Sequence, residues 1–345
     1  MKKILTIIGA RPQFIKHAPV ERVLKEHFLV PTVHTGQHYD ENMSNIFFTQ
    51  LKMNKPTYLL NVGSGGHGVQ TGKMMMDLEP IMIDEKPDAV LIYGDTNSTL
   101  AGALVASKLN IPIIHVEAGL RSFNREMPEE INRIVSDHLS EILFAPSDIA
   151  IANLTSEGVS KNVFKIGDVM CDILMIADEF TEKKVEFEYY YVTLHRPYNT
   201  DNIDRLVYVL SQLNNVGLKV IFSVHPRTRD MLRRNNISLS NFQNIIFQDP
   251  VSYFDNVSYL KFSSGLITDS GGMQKEAYIL KKKCVTIRTE TEWVETLKDG
   301  WNHLLFENLE GIIDVLQIEP SAHVKDLYGD GKAAYEILEI LKEKI

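Results

Sequence analysis

The stretch HVEAGLRSFNREMPEEINR (115–133) carries four carboxylates, Glu117, Glu126, Glu129 and Glu130, and it begins inside the apolar run IPIIHV (111–116). Glu117 closes that run. A carboxylate at the end of a buried strand is desolvated, and desolvation raises its proton affinity towards the range useful for acid–base work. Pro128 suits a helix start, and acidic residues in the first turn suit the positive end of the helix dipole. Glu129 and Arg133 are spaced i,i+4 and share a helix face, so a simple ion pair is the plainer reading of these two. Glu126 and Glu130 read as solvated charges. A second acid, Asp95 in YGDTNSTL (93–100), also ends an apolar run. Turns and caps are the usual work of Asp there, so its catalytic reading leans on Glu117.

A second set of residues suits an anion. In ITDSGGMQKEA (267–277) an apolar run ends and Ser270-Gly271-Gly272 turns into a helix. Free N–H groups and the dipole at a helix start favour a phosphate, Gly271 and Gly272 allow close backbone approach, and Ser270 can cap. Glu276, further along, is placed to accept from ribose hydroxyls. An ordinary capped helix is the alternative. GARPQFIK (9–16) offers Arg11 and Lys16, while VTLHRPYNTD (192–201) and SVHPRTRD (223–230) end apolar runs with His195 and His225, each followed by arginine. Arg133 and Arg288 also fall near expected strand ends. The formal net charge is -9, which argues against a nucleic-acid partner. Cations gathered at loops of an acidic chain point instead to a small anion. The two cysteines, Cys171 and Cys284, have no metal-type spacing, and His67 and His138 form no ligand pattern with neighbours. No metal is expected, and the low cysteine usage suits a reducing, cytoplasmic setting.

These residues need strands and helices to carry them. Apolar, β-branched runs at 4–9, 29–35, 88–94, 111–116, 142–146, 189–195, 219–225, 265–269 and 284–287 alternate with amphipathic segments such as 98–108 and 131–140. Such alternation predicts an α/β fold with parallel sheets covered by helices on both faces. A chain of 345 residues fits two domains of roughly 170 residues each. The rhythm weakens over 175–188, so two doubly wound domains are expected. In such sheets ligands bind beyond the carboxyl ends of the strands. Arg11, Gln37, Asp95, Glu117, His195, His225 and Ser270 all follow strands. No apolar run reaches the ~20 residues of a membrane span, and the apolar part of the opening MKKILTIIGARPQF is too short for a signal peptide and reads as a strand and loop.

Taken together, GARPQFIK, GDTNSTLA, HVEAGLRSFNREMPEEINR, LHRPYNTD, TDSGGMQKEA and YGDGKAA resemble the non-hydrolysing UDP-N-acetylglucosamine 2-epimerase family, in order and over nearly the whole chain. The resemblance implies two Rossmann-like doubly wound parallel-sheet domains facing across a cleft (GT-B type), with a final helix returning to the first domain. Domains at 1–170 plus 331–345 and at 171–330 are expected. It implies interconversion of UDP-N-acetylglucosamine and UDP-N-acetylmannosamine for polysaccharide precursors, without a cofactor, by a homodimer. By position it assigns acid–base chemistry to Asp95, Glu117 and Glu129, and catalysis to His195, near the phosphate or as an acid. Substrate binding falls to Arg11, Lys16, Arg133, His225, Ser270, Gly271, Gly272, Glu276 and Arg288, and Gln37 joins that set from its place after a strand. The chain departs from the family's usual pattern at GGHGVQTGKMM (65–75), where activator binding is expected to be absent. TEWVE (291–295) stands for T-E-R-P-E, and TLHRPYNTD for a GHRRE-type segment. These departures resemble the subgroup acting on UDP-2,3-diacetamido-2,3-dideoxy-glucuronate. A GT-B glycosyltransferase is the rival reading; a hydrolysing epimerase and a non-catalytic sensor are weaker ones.

Overall fold

The computed structural model describes residues 1–36, 53–321 and 327–345. By its contacts the chain divides into a first unit, 1–175 with 326–345, and a second, 176–325.

The first unit is built on a seven-stranded sheet: β1 (Ile4–Ile8), β2 (Thr32–His34), β3 (Tyr58–Leu59), β4 (Ala89–Tyr93), β5 (Ile113–Val116), β6 (Ile142–Ala145) and β7 (Val163–Lys165). Their order is β3-β2-β1-β4-β5-β6-β7, and every pairing is parallel. All residues of β1, β4, β5 and β6 are buried, which is why they read as continuous apolar runs and not as alternating ones. The His67–Glu85 helix buries Gln70, Met74, Leu78 and Met82, one residue per turn. The last three join Leu5, Ile7, Val90 and Ile92 in one core. At ~1.5–3 kcal/mol per buried large aliphatic side chain, this stripe fixes the helix to the sheet.

The second unit repeats the plan with six strands: β8 (Tyr189–Leu194), β9 (Lys219–Val224), β10 (Ile245–Gln248), β11 (Gly265–Thr268), β12 (Cys284–Thr286) and β13 (Asn302–Leu304). Their order is β10-β9-β8-β11-β12-β13, again all parallel. The Ile203–Asn214 helix starts where the Asn202 side chain accepts from the Arg205 N–H, and buries Leu206, Val209, Leu210 and Leu213. That i, i+3, i+4, i+7 spacing is the apolar stripe of a helix lying on a sheet.

Both sheets have the doubly wound order, which reverses direction between β1 and β4 in the first and between β8 and β11 in the second. Those two switch points are where ligands enter such sheets. All nine strand runs read from the sequence form strands. Four short edge or near-edge strands, β3, β7, β10 and β13, were not anticipated; they hold only two to four residues each, too few for a hydrophobic pattern. The last helix, Ala333–Lys344, packs within the first unit against the Arg11–Leu24 helix. The Asp172 carboxylate accepts from the N–H groups of Ala333 and Ala334 at 3.2 and 2.9 Å. Among the described residues no helix is long and apolar enough to cross a membrane.

Candidate functional site

In the first unit the candidate site lies at the switch point. Gln13 fills the junction between the ends of β1 and β4. Its Oε1 accepts from the N–H groups of Gly9 and Ala10, and its Nε2 donates to the Tyr93 carbonyl and Thr99 Oγ1. One buried amide thereby meets four partners and locks two loops together. Arg11 opens the helix that follows β1. Gln37 lies outside the described residues.

Beyond β4, Gly94 turns the chain with φ +61°, and a Cβ there would come within 3.2 Å of Glu117 Oε2 and 3.5 Å of Lys16 Nζ. Only glycine combines that backbone with that space. Glu117 itself has φ +74°, rare for a residue with a side chain. It is 8% exposed, and its carboxylate pairs with the Lys16 ammonium. Asp95, partly exposed, pairs with Arg133, whose Nη2 donates to Oδ2 at 2.6 Å. Asn132 Nδ2 donates to the Asp95 carbonyl at 2.8 Å. Two carboxylates, each beside a cation, therefore stand at adjacent strand ends.

The Pro128–Leu139 helix corrects two readings. Glu130 is 1% exposed and is not a solvated charge. It accepts from Ser122 N–H, Phe123 N–H, Ser122 Oγ and Arg133 Nη1 at 2.9, 2.9, 3.1 and 2.8 Å. Burial pushes its carboxyl up, but these donors outweigh burial and hold it below the usual carboxylate range. Arg133 therefore pairs at i,i+3 with Glu130, in place of the expected i,i+4 pair with Glu129, which is only partly buried. The helix buries Glu130, Asn132, Arg133, Ser136 and Asp137, so its inward face is polar. Asp137 carries a second network: it meets His115 Nδ1 at 2.7 Å, and accepts from Arg121 Nη1 at 2.7 Å and Gly119 N–H at 3.1 Å. His115 Nε2 meets the Gly94 carbonyl at 2.8 Å. Burial raises the Asp137 carboxyl, yet His115 and Arg121 bring it below its ordinary range. This network ties the Gly94 turn to the helix behind it.

In the second unit the centre is Asp269, fully buried at the end of β11. Its carboxylate accepts from the N–H groups of His195 and Arg196 at 3.0 and 3.1 Å and from Asn199 Nδ2 at 3.1 Å. The His195 Nδ1 lies 3.2 Å from Asp269 Oδ1. Burial again raises the carboxyl, and the His195 contact leads the opposing effects that leave it lowered. With Nδ1 engaged, Nε2 is the nitrogen the half-exposed imidazole offers to a ligand. Ser270 stands at the N-cap of the Gly271–Ile279 helix, but its side chain makes no capping hydrogen bond. A Cβ on Gly271 would fall 2.1 Å from Glu292 Oε1, whereas one on Gly272 would meet nothing within 4 Å. Arg288, 3% exposed, lies 3.1 Å from Glu292 through Nη1. Glu276 is buried on the same helix, and His225 is exposed just after β9. His195 and Ser270 thus flank Asp269, and Gly271 and Arg288 meet at Glu292. Gln13, His115, Glu130, Asp137, Asn199, Asp269 and Glu292 were not singled out from the sequence. Asp269 had a usable signal, because it ends an apolar strand as Glu117 does; the others are recognisable only by their partners. Among the described residues no three metal-ligating side chains converge as a metal site requires.

A model of the UDP-N-acetylglucosamine 2-epimerase family matches residues 22–342. A UDP-N-acetylglucosamine 2-epimerase homolog of Methanococcus maripaludis is 47% identical over 99% of both chains. The UDP-2,3-diacetamido-2,3-dideoxy-D-glucuronate 2-epimerase of Pseudomonas aeruginosa is 45% identical over 98% of this chain and 99% of its own. The crystal structure of Methanocaldococcus jannaschii UDP-GlcNAc 2-epimerase in complex with UDP-GlcNAc and UDP superposes with a TM-score of 0.91 at 41% identity, covering 99% of this chain and all of the other.

Proposed function

We propose epimerisation at C2 of a UDP-N-acetylhexosamine as the reaction of this chain, which belongs to the UDP-N-acetylglucosamine 2-epimerase family. The observation that carries the reading is the pair of cation-matched carboxylates, Lys16–Glu117 and Arg133–Asp95, at adjacent strand ends of the first switch point. The C2 proton of an N-acetylhexosamine has no neighbouring carbonyl to stabilise a carbanion. It becomes acidic once the C1–O bond to the β-phosphate breaks and positive charge develops at C1. UDP then leaves with the bonding pair, a carboxylate takes the C2 proton, and a 2-acetamidoglucal remains. Return of a proton to the opposite face of C2 and of UDP to C1 completes the cycle. Two faces need acid–base groups, which suits two carboxylates. Glu117 and Asp95 take these roles, with Glu129 assisting.

The diphosphate is assigned to the second unit, at the start of the Gly271–Ile279 helix, with Ser270, Gly271, Gly272 and Arg288 around it. His195, oriented by Asp269, presents Nε2 to the leaving phosphate. Arg11, Lys16, Gln37, Arg133 and His225 complete the binding set, and Glu276 takes the ribose. The substrate is UDP-N-acetylglucosamine. UDP-2,3-diacetamido-2,3-dideoxy-glucuronate is the second reading, favoured by the Pseudomonas relative and by TEWVE in place of T-E-R-P-E. A cytoplasmic homodimer fits this reading. Val69, Met76 and Ile83 are exposed along the His67–Glu85 helix at seven-residue spacing, the seam by which a helix meets a second copy of itself.

In D₂O the product epimer should gain one deuterium at C2, with no acceptor present. Epimerisation with retained C2 protium removes the elimination mechanism. Transfer only on adding an acceptor favours a glycosyltransferase, and UDP accumulating with turnover favours hydrolysis. Running the assay with both sugars, read by NMR, decides between the two substrates.

A further inference from the structure

Phe123 combines a bulky apolar side chain, high exposure and a left-handed backbone. It is 76% exposed and has φ +60°, a left-handed backbone that bulky side chains avoid. A lone exposed apolar residue is ordinary. This one is held in place by buried machinery. Glu130 accepts from the N–H groups of Ser122 and Phe123, both at 2.9 Å, and from Ser122 Oγ at 3.1 Å. The same carboxylate accepts from Arg133 Nη1 at 2.8 Å, and Arg133 Nη2 donates to Asp95 Oδ2 at 2.6 Å. Phe123, Glu130, Arg133 and Asp95 thus form one continuous chain of contacts. A nearly fully buried glutamate keeps the loop strained and the ring outward, on the network that sets a candidate acid–base carboxylate.

We infer that Phe123 is a specificity-determining residue whose ring stacks on the apolar face of the substrate's sugar. A hexopyranose presents C–H groups on its faces and hydroxyls round its edge, so a flat apolar ring orients it without competing for its hydrogen bonds. The inference rests on the reading of the substrate as a UDP-sugar.

The test uses the full chain, with Phe123→Ala, Phe123→Gly and Phe123→Tyr. KM for the UDP-sugar should rise about tenfold in the Ala and Gly variants, inhibition by UDP should stay within about twofold, and Tyr should restore KM. Gly also relieves the left-handed backbone, so its Tm should rise by about 2 °C while KM worsens. A ring that merely packs would give the reverse, a fall in Tm with KM unchanged. Unchanged KM overturns the inference, as does an equal loss of UDP inhibition, which would mark a nucleotide or structural role. If the unaltered chain fails to epimerise either UDP-sugar, the reading of the function fails; if it turns over and the variants match it, only the role of Phe123 fails.

Discussion

Glu117 occupies a left-handed backbone conformation at the end of β5, with Lys16 against its carboxylate and Gly94 making room. Such a conformation costs about 1–3 kcal/mol in a residue with a side chain. The return is a nearly buried carboxylate set beside the Lys16 ammonium at the strand ends. Glu117→Gln preserves shape and removes the base. Steady-state kinetics should show kcat lower by about 10²–10⁴-fold, with UDP inhibition retained. A large loss of UDP affinity in that variant would make Glu117 a binding residue. Glu130, a solvated charge by its sequence, is nearly fully buried in the fold. Four donors converge on its carboxylate, and hydrogen bonds to a charged group contribute about 1.5–3 kcal/mol each.

At the scale of elements, the Pro128–Leu139 helix turns its polar face inward and leaves Ile131 exposed. Pattern reading assumes the reverse, since apolar stripes ordinarily face a core. The C-terminal Ala333–Lys344 helix depends on Asp172 to satisfy two of its opening N–H groups. Burial raises the Asp172 carboxyl to about 6 against the opposing pull of the Ala334 and Ala333 N–H groups. Its folded pKa lies above the unfolded value, so its titrating contribution is full below about pH 4 and lost as pH rises through about 6. Denaturation midpoints of the unaltered chain and Asp172→Asn, compared from pH 4.5 to 7.5, should differ by an amount that depends on pH. The advantage of the unaltered chain should shrink as pH rises, by roughly 3 kcal/mol at most for a shift of about two units. A difference flat with pH would mean that Asp172 does not titrate in this range.

At the scale of the molecule, the exposed stripe of Val69, Met76 and Ile83 bears on assembly. Sedimentation should give a dimer for the unaltered chain and a monomer for Met76→Glu, because a carboxylate in an apolar seam is left unpaired. A monomeric unaltered chain ends the homodimer proposal. The two units share one sheet order, so each offers its switch point by the same construction. The first has gathered carboxylates there, and the second a buried aspartate, a histidine and a glycine-rich helix start.

Sequence alone determined the parallel sheets, because strands buried on both faces must be apolar throughout, and it marked Glu117, Asp95, His195 and Ser270 because they stand where those runs stop. Local physics suffices for such features: a strand's end and a helix's start are written in neighbouring residues. Partnership is not local. Arg133 chose Glu130 over Glu129 and reached Asp95, 38 positions earlier; Asp269 reached His195 across 74 positions. Only the folded chain decided which charges lost their water and which side chains replaced it.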